Sequence, residues 1–224
     1  MAPEVHRTLH MSVRAHPSRS RPFTAAIHEL SARSEPACLL DLEGNLLFVN
    51  DAWERFAREN GGHFADDLVG TSVFEHLRGE TPRRMLRGLL RRAAHPLAGA
   101  RPPSFTSECN GPEVARLVTT QVARVVAGAD VLGFALTQRV VRERPVAEVY
   151  EVVGGTTQDF RMHDGTFVQC SCCRRTRRPD DPEAWDFVPA LVAAPPPETR
   201  FDYCPLCLEL HAPPGALEDE GRTP

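Results

Sequence analysis

The chain has 224 residues, 42% of them hydrophobic, which is enough to bury one ordinary core and one small satellite. Its formal net charge is −4, and all 26 basic residues are Arg, so the molecule as a whole does not read as a nucleic-acid binder. Seven cysteines, an odd number, argue against a secreted disulfide framework, and no run approaches the ~20 apolar residues of a membrane span, so a cytoplasmic, reducing location is expected.

Residues 1–21 read as a flexible leader, basic and broken by Pro3 and Pro17, without the apolar stretch of a signal peptide. From Phe23 a helical pattern carries Ile27 and Leu30 and ends near Pro36. The phrase ACLLDLEGNLLFVN predicts two short strands around a turn at Glu43-Gly44-Asn45. Asn50 or Asp51 then caps a helix in which Trp53, Phe56 and Ala57 share the buried face, and Gly61-Gly62 stops it. A short helix around Ser72 to Leu77 follows. Thr81 is the expected cap of a longer helix, with Pro82 in its first turn and Met85, Leu86, Leu89 and Leu90 on its apolar side. After the loop that ends at Pro103, SFTSECN, EVARLVTTQVARVV and VLGFALTQRVV predict three strands with turns at Asn110-Gly111-Pro112 and Ala127 to Asp130. Two strands, several helices and three strands make an α+β layout, an antiparallel sheet with helices on one face.

A linker over 143–166 leads to the richest segment, 167–211, with a flexible tail at 212–224. Cys170 and Cys173 stand in QCSCCRRTRR, and Cys204 and Cys207 in FDYCPLCLEL. Each pair has two intervening residues, a spacing that lets one tight turn aim both sulfurs at a point, and two such turns supply the tetrahedral thiolate set that zinc prefers. A redox pair of the thioredoxin type would need a βαβ setting, which the surrounding pattern lacks. The gap from Arg174 to Tyr203 exceeds that of simple zinc ribbons, so it must build a loop or short helix of its own. Cys172 reads as a small buried apolar residue, the alternative being that it replaces Cys173 as a ligand. His163 and His211 are substitute ligands by type, although four thiolates already close a site.

Catalytic signatures are missing. Gly61-Gly62 and Gly154-Gly155 lack the continuation of a phosphate-cradling loop, and neither G-x-S-x-G nor H-E-x-x-H occurs, so no enzymatic activity is expected.

The stretch ACLLDLEGNLLFVNDAWERFARENGG, followed by LVGTSVFEHL and the long helix, resembles the opening of a PAS sensor domain, and the three-strand finish fits the same fold over about residues 22–142. The resemblance implies a five-stranded antiparallel sheet in which the first two strands lie beside the last ones, with the helices after strand two forming a pocket against it. QCSCCRRTRR, Trp185 in EAWDFVPALV, and FDYCPLCLEL resemble a cysteine-paired segment appended to bacterial PAS proteins and response regulators. That likeness also points to Cys170, Cys173, Cys204 and Cys207 as ligands of a structural zinc, with Trp185 packing between the halves. Neither Cys38 nor Cys109 has the Asn-Cys-Arg context of flavin photochemistry, and His63, His76 and His95 are haem ligands by type only. Whether the PAS interior holds a ligand, and which one, stays open.

Two functions remain. The first is a non-catalytic signalling protein whose zinc module docks a protein partner, or which pairs as a homodimer through the helix bearing Ile27 and Leu30. The alternative is a nucleic-acid-binding regulator using Arg174, Arg175, Arg177 and Arg178 on phosphate. Those four cations also suit a simpler role, since a zinc centre with four thiolates is formally −2 and the acidic Asp180, Asp181 and Glu183 follow directly.

Overall fold

The computed structural model describes residues 21–211, apart from residues 61, 63 and 97–99; the leader up to residue 20, His63 and the tail from 212 lie outside the described residues. The first unit begins with a helical turn over Arg21–Phe23 that leads into helix α1 (Thr24–Ser31). Strands β1 (Ala37–Asp41) and β2 (Leu46–Val49) then form the expected hairpin. Its turn is closed by the Asp41 carboxylate, which accepts from the backbone N–H and the side-chain amide of Asn45, both at 2.8 Å.

Asn50 is the junction of three elements and is 1% exposed. Its Oδ1 accepts from Trp53 N at 2.9 Å, capping helix α2 (Asp51–Asn60), and from Ala37 N at 3.0 Å at the start of β1. Its Nδ2 donates to the carbonyls of Leu30 at 3.1 Å and Glu35 at 2.9 Å, tying down the exit of α1. On α2 the buried residues are Ala52, Glu54 and Ala57, while Trp53 and Phe56 are half-buried, so the inward face is rotated from the expected one. The reason is a helix that periodicity did not reveal, α3 (Ala65–Leu68), whose first N–H donates to the Glu54 carboxylate at 2.8 Å and draws that side chain inward.

A short helical turn at Val73–Glu75 precedes helix α4 (Glu80–Ala94). Gly79, not Thr81, occupies its cap position. Thr81 lies inside the helix, buried, and its hydroxyl donates to Asp202 at 3.0 Å. Strands β3 (Ser104–Glu108), β4 (Val114–Ala127) and β5 (Asp130–Pro145) complete a five-stranded, wholly antiparallel sheet of order β2-β1-β5-β4-β3. This is the PAS-like α+β arrangement, with the first two strands beside the last.

Side chains alternate across the sheet. Cys38, Leu40, Phe134 and Leu136 face α3 and α4, where Leu68, Leu86 and Leu89 close the main core. Ala37, Leu39 and Ala135 face the other way and are covered by α1 through Phe23 and Leu30. The main helical layer thus lies on one face, and α1 packs on the other side of the β2-β1-β5 half. Leu30, 2% exposed, packs with the partly buried Ile27 against the chain's own sheet.

β5 runs to Pro145, paired with Val114, so the segment expected to be linker starts as sheet. Val146 then packs with Ala115 and Phe187, and Tyr150 stacks on Phe187 with ring centroids 5.0 Å apart. The second unit contains strands β6 (Phe167–Cys170), β7 (Thr176–Arg177) and β8 (Trp185–Asp186), helix α5 (Pro189–Ala193), strand β9 (Thr199–Asp202) and helix α6 (Pro205–His211). Its small sheet has the order β8-β7-β6-β9, with β6 and β9 parallel. Among the described residues no helix is long and apolar enough to cross a membrane.

Candidate metal centre

The two cysteine pairs arrive on parallel neighbours. Cys170 ends β6 and Cys173 follows in the turn; Cys204 follows β9 and Cys207 lies in the first turn of α6. Because β6 and β9 pair in register, Cys170 against Asp202, both turns project from the same end of the small sheet. The four sulfurs, all buried, lie within 4.8 Å of one another. The Cys173 and Cys204 sulfurs are 3.8 Å apart, which is the edge of a tetrahedron with metal–sulfur bonds of about 2.3 Å.

The surroundings fit a dication. Four thiols this close cannot all ionise by themselves: hydrogen bonds from Cys170 and Cys173 pull the Cys204 thiol well below its ordinary range, while hydrogen bonding to Cys170 and Cys204 pushes Cys173 up. A divalent ion removes that conflict. The backbone N–H of Cys204 donates to the Cys170 sulfur at 3.4 Å, and that of Cys207 to the Cys204 sulfur at 3.5 Å, the orienting bonds a thiolate needs. Arg175 approaches the Cys173 sulfur at 3.2 Å through Nε and the Cys204 sulfur at 3.3 Å through a terminal nitrogen. Burial works most strongly against the charge of Arg175, but its bond to Cys173 together with the charges of the Cys173, Cys204 and Cys207 sulfurs outweighs this and holds the guanidinium more firmly protonated than usual.

The other arginines of the cluster are also engaged. Arg174, in the left-handed turn with φ 67°, lies over the Phe201 ring; Arg177 reaches Met162 Sδ at 3.7 Å; Arg178 pairs with Asp186 at 2.5 Å. Trp185 packs against the cysteine cluster beside Tyr150 and Tyr203. Cys172 is buried in that cluster too, and its thiol donates to the Glu108 carbonyl at 3.4 Å. His163 is exposed in a turn. His211 reaches the centre: with Cys172 and Cys207 it forms a second group of ligand atoms within 4.8 Å of one another. The C-x-x-C-x-x-x-H spacing from Cys204 to His211 is the signal for this, since residues four apart share a helix face. Of the two described histidines that are haem ligands by type, His76 bonds Thr71 Oγ1 at 2.6 Å and His95 is exposed at the end of α4.

The centre is anchored on the larger sheet. Asn110 donates to the Cys173 carbonyl at 3.0 Å and to the Tyr150 hydroxyl at 3.0 Å, while its Oδ1 accepts from Arg116 N at 2.9 Å. Tyr150 donates in turn to Glu108, and burial together with that bond raises its hydroxyl above the usual range. Ser171 Oγ donates to the Arg78 carbonyl at 2.7 Å, next to the Thr81–Asp202 bond, so the module grips both the edge strand β3 and the start of α4. The bonds that reach the module could not be read from composition, because Asn110–Cys173, Ser171–Arg78 and Thr81–Asp202 join residues 63, 93 and 121 positions apart.

No protein-family model matches this chain, and no curated protein matches it. Among solved structures, it is similar to the PAS domain of BvgS from Bordetella pertussis, with 21% identity, a TM-score of 0.43, and coverage of 57% of this chain and 90% of that one. A PAS domain of a protein from Colwellia psychrerythraea matches with 12% identity and a TM-score of 0.38 over 54% and 97%. The phage VqmA–DPO complex matches with 13% identity and a TM-score of 0.38 over 54% of this chain and 53% of VqmA, so this chain spans about half of that protein.

Proposed function

We propose that this chain is a non-catalytic signal-transduction protein in which a PAS-like unit is coupled to a structural zinc module that docks a protein partner. Cys170, Cys173, Cys204 and Cys207 hold the zinc. The observation that carries this reading is the docking of the thiolate turns on the sheet: the Asn110–Cys173 and Thr81–Asp202 bonds join the module to the edge strand and to α4, so a rearrangement in the PAS-like core is passed to the module through hydrogen bonds. The chain then acts through what it touches, without turnover of its own.

The arginine cluster does not favour phosphate as that partner, because Arg175 and Arg178 already face the sulfurs and Asp186. The module instead offers Leu206 and Leu210, one helical turn apart on α6 and 49% and 62% exposed. The test is affinity capture from the native cell extract with the wild type and with Leu206→Glu plus Leu210→Glu. The expected result is one zinc per chain or more in both proteins, and a specific protein recovered by the wild type and lost by the double variant. Equal recovery by both, or a salt-sensitive shift of duplex DNA with no protein recovered, overturns the reading.

A further inference from the structure

Assigning four thiolates to one ion leaves two further ligand groups beside it, the buried Cys172 and the half-buried His211. His211 closes α6 four residues after Cys207. One ring nitrogen, Nδ1, lies 3.0 Å from the carbonyl oxygen of Thr106 on β3. A carbonyl oxygen only accepts, so Nδ1 carries the ring proton and Nε2 presents its lone pair. Nε2 is buried and has no hydrogen-bond partner. A histidine with one N–H on a backbone carbonyl and the other nitrogen bare is oriented as metal-binding histidines are. The sulfurs of Cys172 and Cys207 complete the group, all within 4.8 Å.

We propose that Cys172, Cys207 and His211 form a second site for a zinc-class divalent ion, with the Cys207 thiolate bridging it to the ion of the four-cysteine centre. The inference rests on the four-cysteine reading above. A single ion shifted between the two sets does not account for the geometry: Arg175 and the backbone N–H groups converge on Cys170, Cys173 and Cys204, while His211 groups with Cys172 and Cys207 alone and its Nε2 has no hydrogen-bond partner. Charge points the same way. Four thiolates around one dication leave two net negative charges, whereas the second dication together with the Cys172 thiolate leaves one, which the adjacent Arg175 meets. Two thiolates and an imidazole suit zinc, cobalt or cadmium, and three protein ligands leave a fourth position for water or a small anionic donor. Uptake of the second ion releases the proton that Cys172 now donates to Glu108, and it clamps α6 to the turn after β6.

The experiment uses the full reduced chain saturated with zinc and weighed by native mass spectrometry. The expected stoichiometry is two zinc ions in the wild type and one in His211→Ala and in Cys172→Ser. Cadmium-loaded protein, observed by cadmium NMR, then shows two resonances coupled through the shared sulfur, and one resonance in His211→Ala. His211 is half-buried at a helix end, so that variant carries the test even where Cys172→Ser fails to fold. One ion in the saturated wild type, or two in His211→Ala, overturns the second site and leaves the four-cysteine centre standing. No ion in the wild type overturns both.

Discussion

Gly79→Ala probes the seam between the two units. Gly79 has φ 96° and ψ 158°, a backbone region that only glycine enters freely, and forcing alanine into it costs about 1–3 kcal/mol. An added Cβ would also lie 2.3 Å from the carbonyl oxygen of Phe201 on β9 and 3.2 Å from Ser171 Oγ. The first distance is about 1 Å short of ordinary contact. Neither neighbour is free to retreat, because Ser171 N donates to the Asp202 carbonyl at 2.7 Å and Ser171 Oγ holds the Arg78 carbonyl. Overpacking of this kind adds about 1–3 kcal/mol, for a total near 4 kcal/mol. Gly128→Ala is the matched control, with φ 64° and nothing within 4 Å of an added Cβ, and costs about 1–2 kcal/mol from backbone strain alone. In a domain of this size each kcal/mol moves the melting midpoint by about 2–4 °C, so the zinc-loaded Gly79 variant should melt roughly 5–10 °C below the control by circular dichroism. Equal melting points would show that the start of α4 does not touch β9 and that the module is not docked as described.

Asn50→Ala should destabilise the protein by about 3 kcal/mol in urea titrations, since it removes the acceptor of the Ala37 and Trp53 N–H groups and the donor to the Leu30 and Glu35 carbonyls at a buried junction; a loss below about 1 kcal/mol would refute that role. Arg175→Gln should weaken zinc binding about tenfold or more in competition with a chromophoric chelator, as loss of an orienting partner does, while Arg177→Gln, whose side chain faces Met162, leaves it unchanged; equal affinities in the two variants would dismiss Arg175 as a partner of the sulfurs.

Local rules carried much of this protein. Two C-x-x-C spacings identify a thiolate set because a four-residue turn aims its own sulfurs, whatever surrounds it. The Asp41–Asn45 turn and the Asn50 cap are likewise local, each needing only a few neighbouring residues. The succession of strands from β1 to β5 along the chain followed from alternation and turn residues, and with it the α+β layout, although β5 runs on to Pro145 past its expected end. What lay beyond the sequence was decided by partners far along the chain. α1 has one apolar stripe, and only the tertiary fold shows that the stripe packs on the back of the chain's own sheet. Glu54 reads as a surface carboxylate until α3 supplies an N–H for it to accept. The arginines after Cys173 read as a cationic patch until Arg175 is seen against the sulfurs and Arg178 against Asp186. Cys172 and His211, 39 residues apart, become neighbours only because β6 and β9 pair in parallel and bring the two thiolate turns to one end of the sheet. Periodicity records which side of an element is apolar; long-range pairing decides what that side meets.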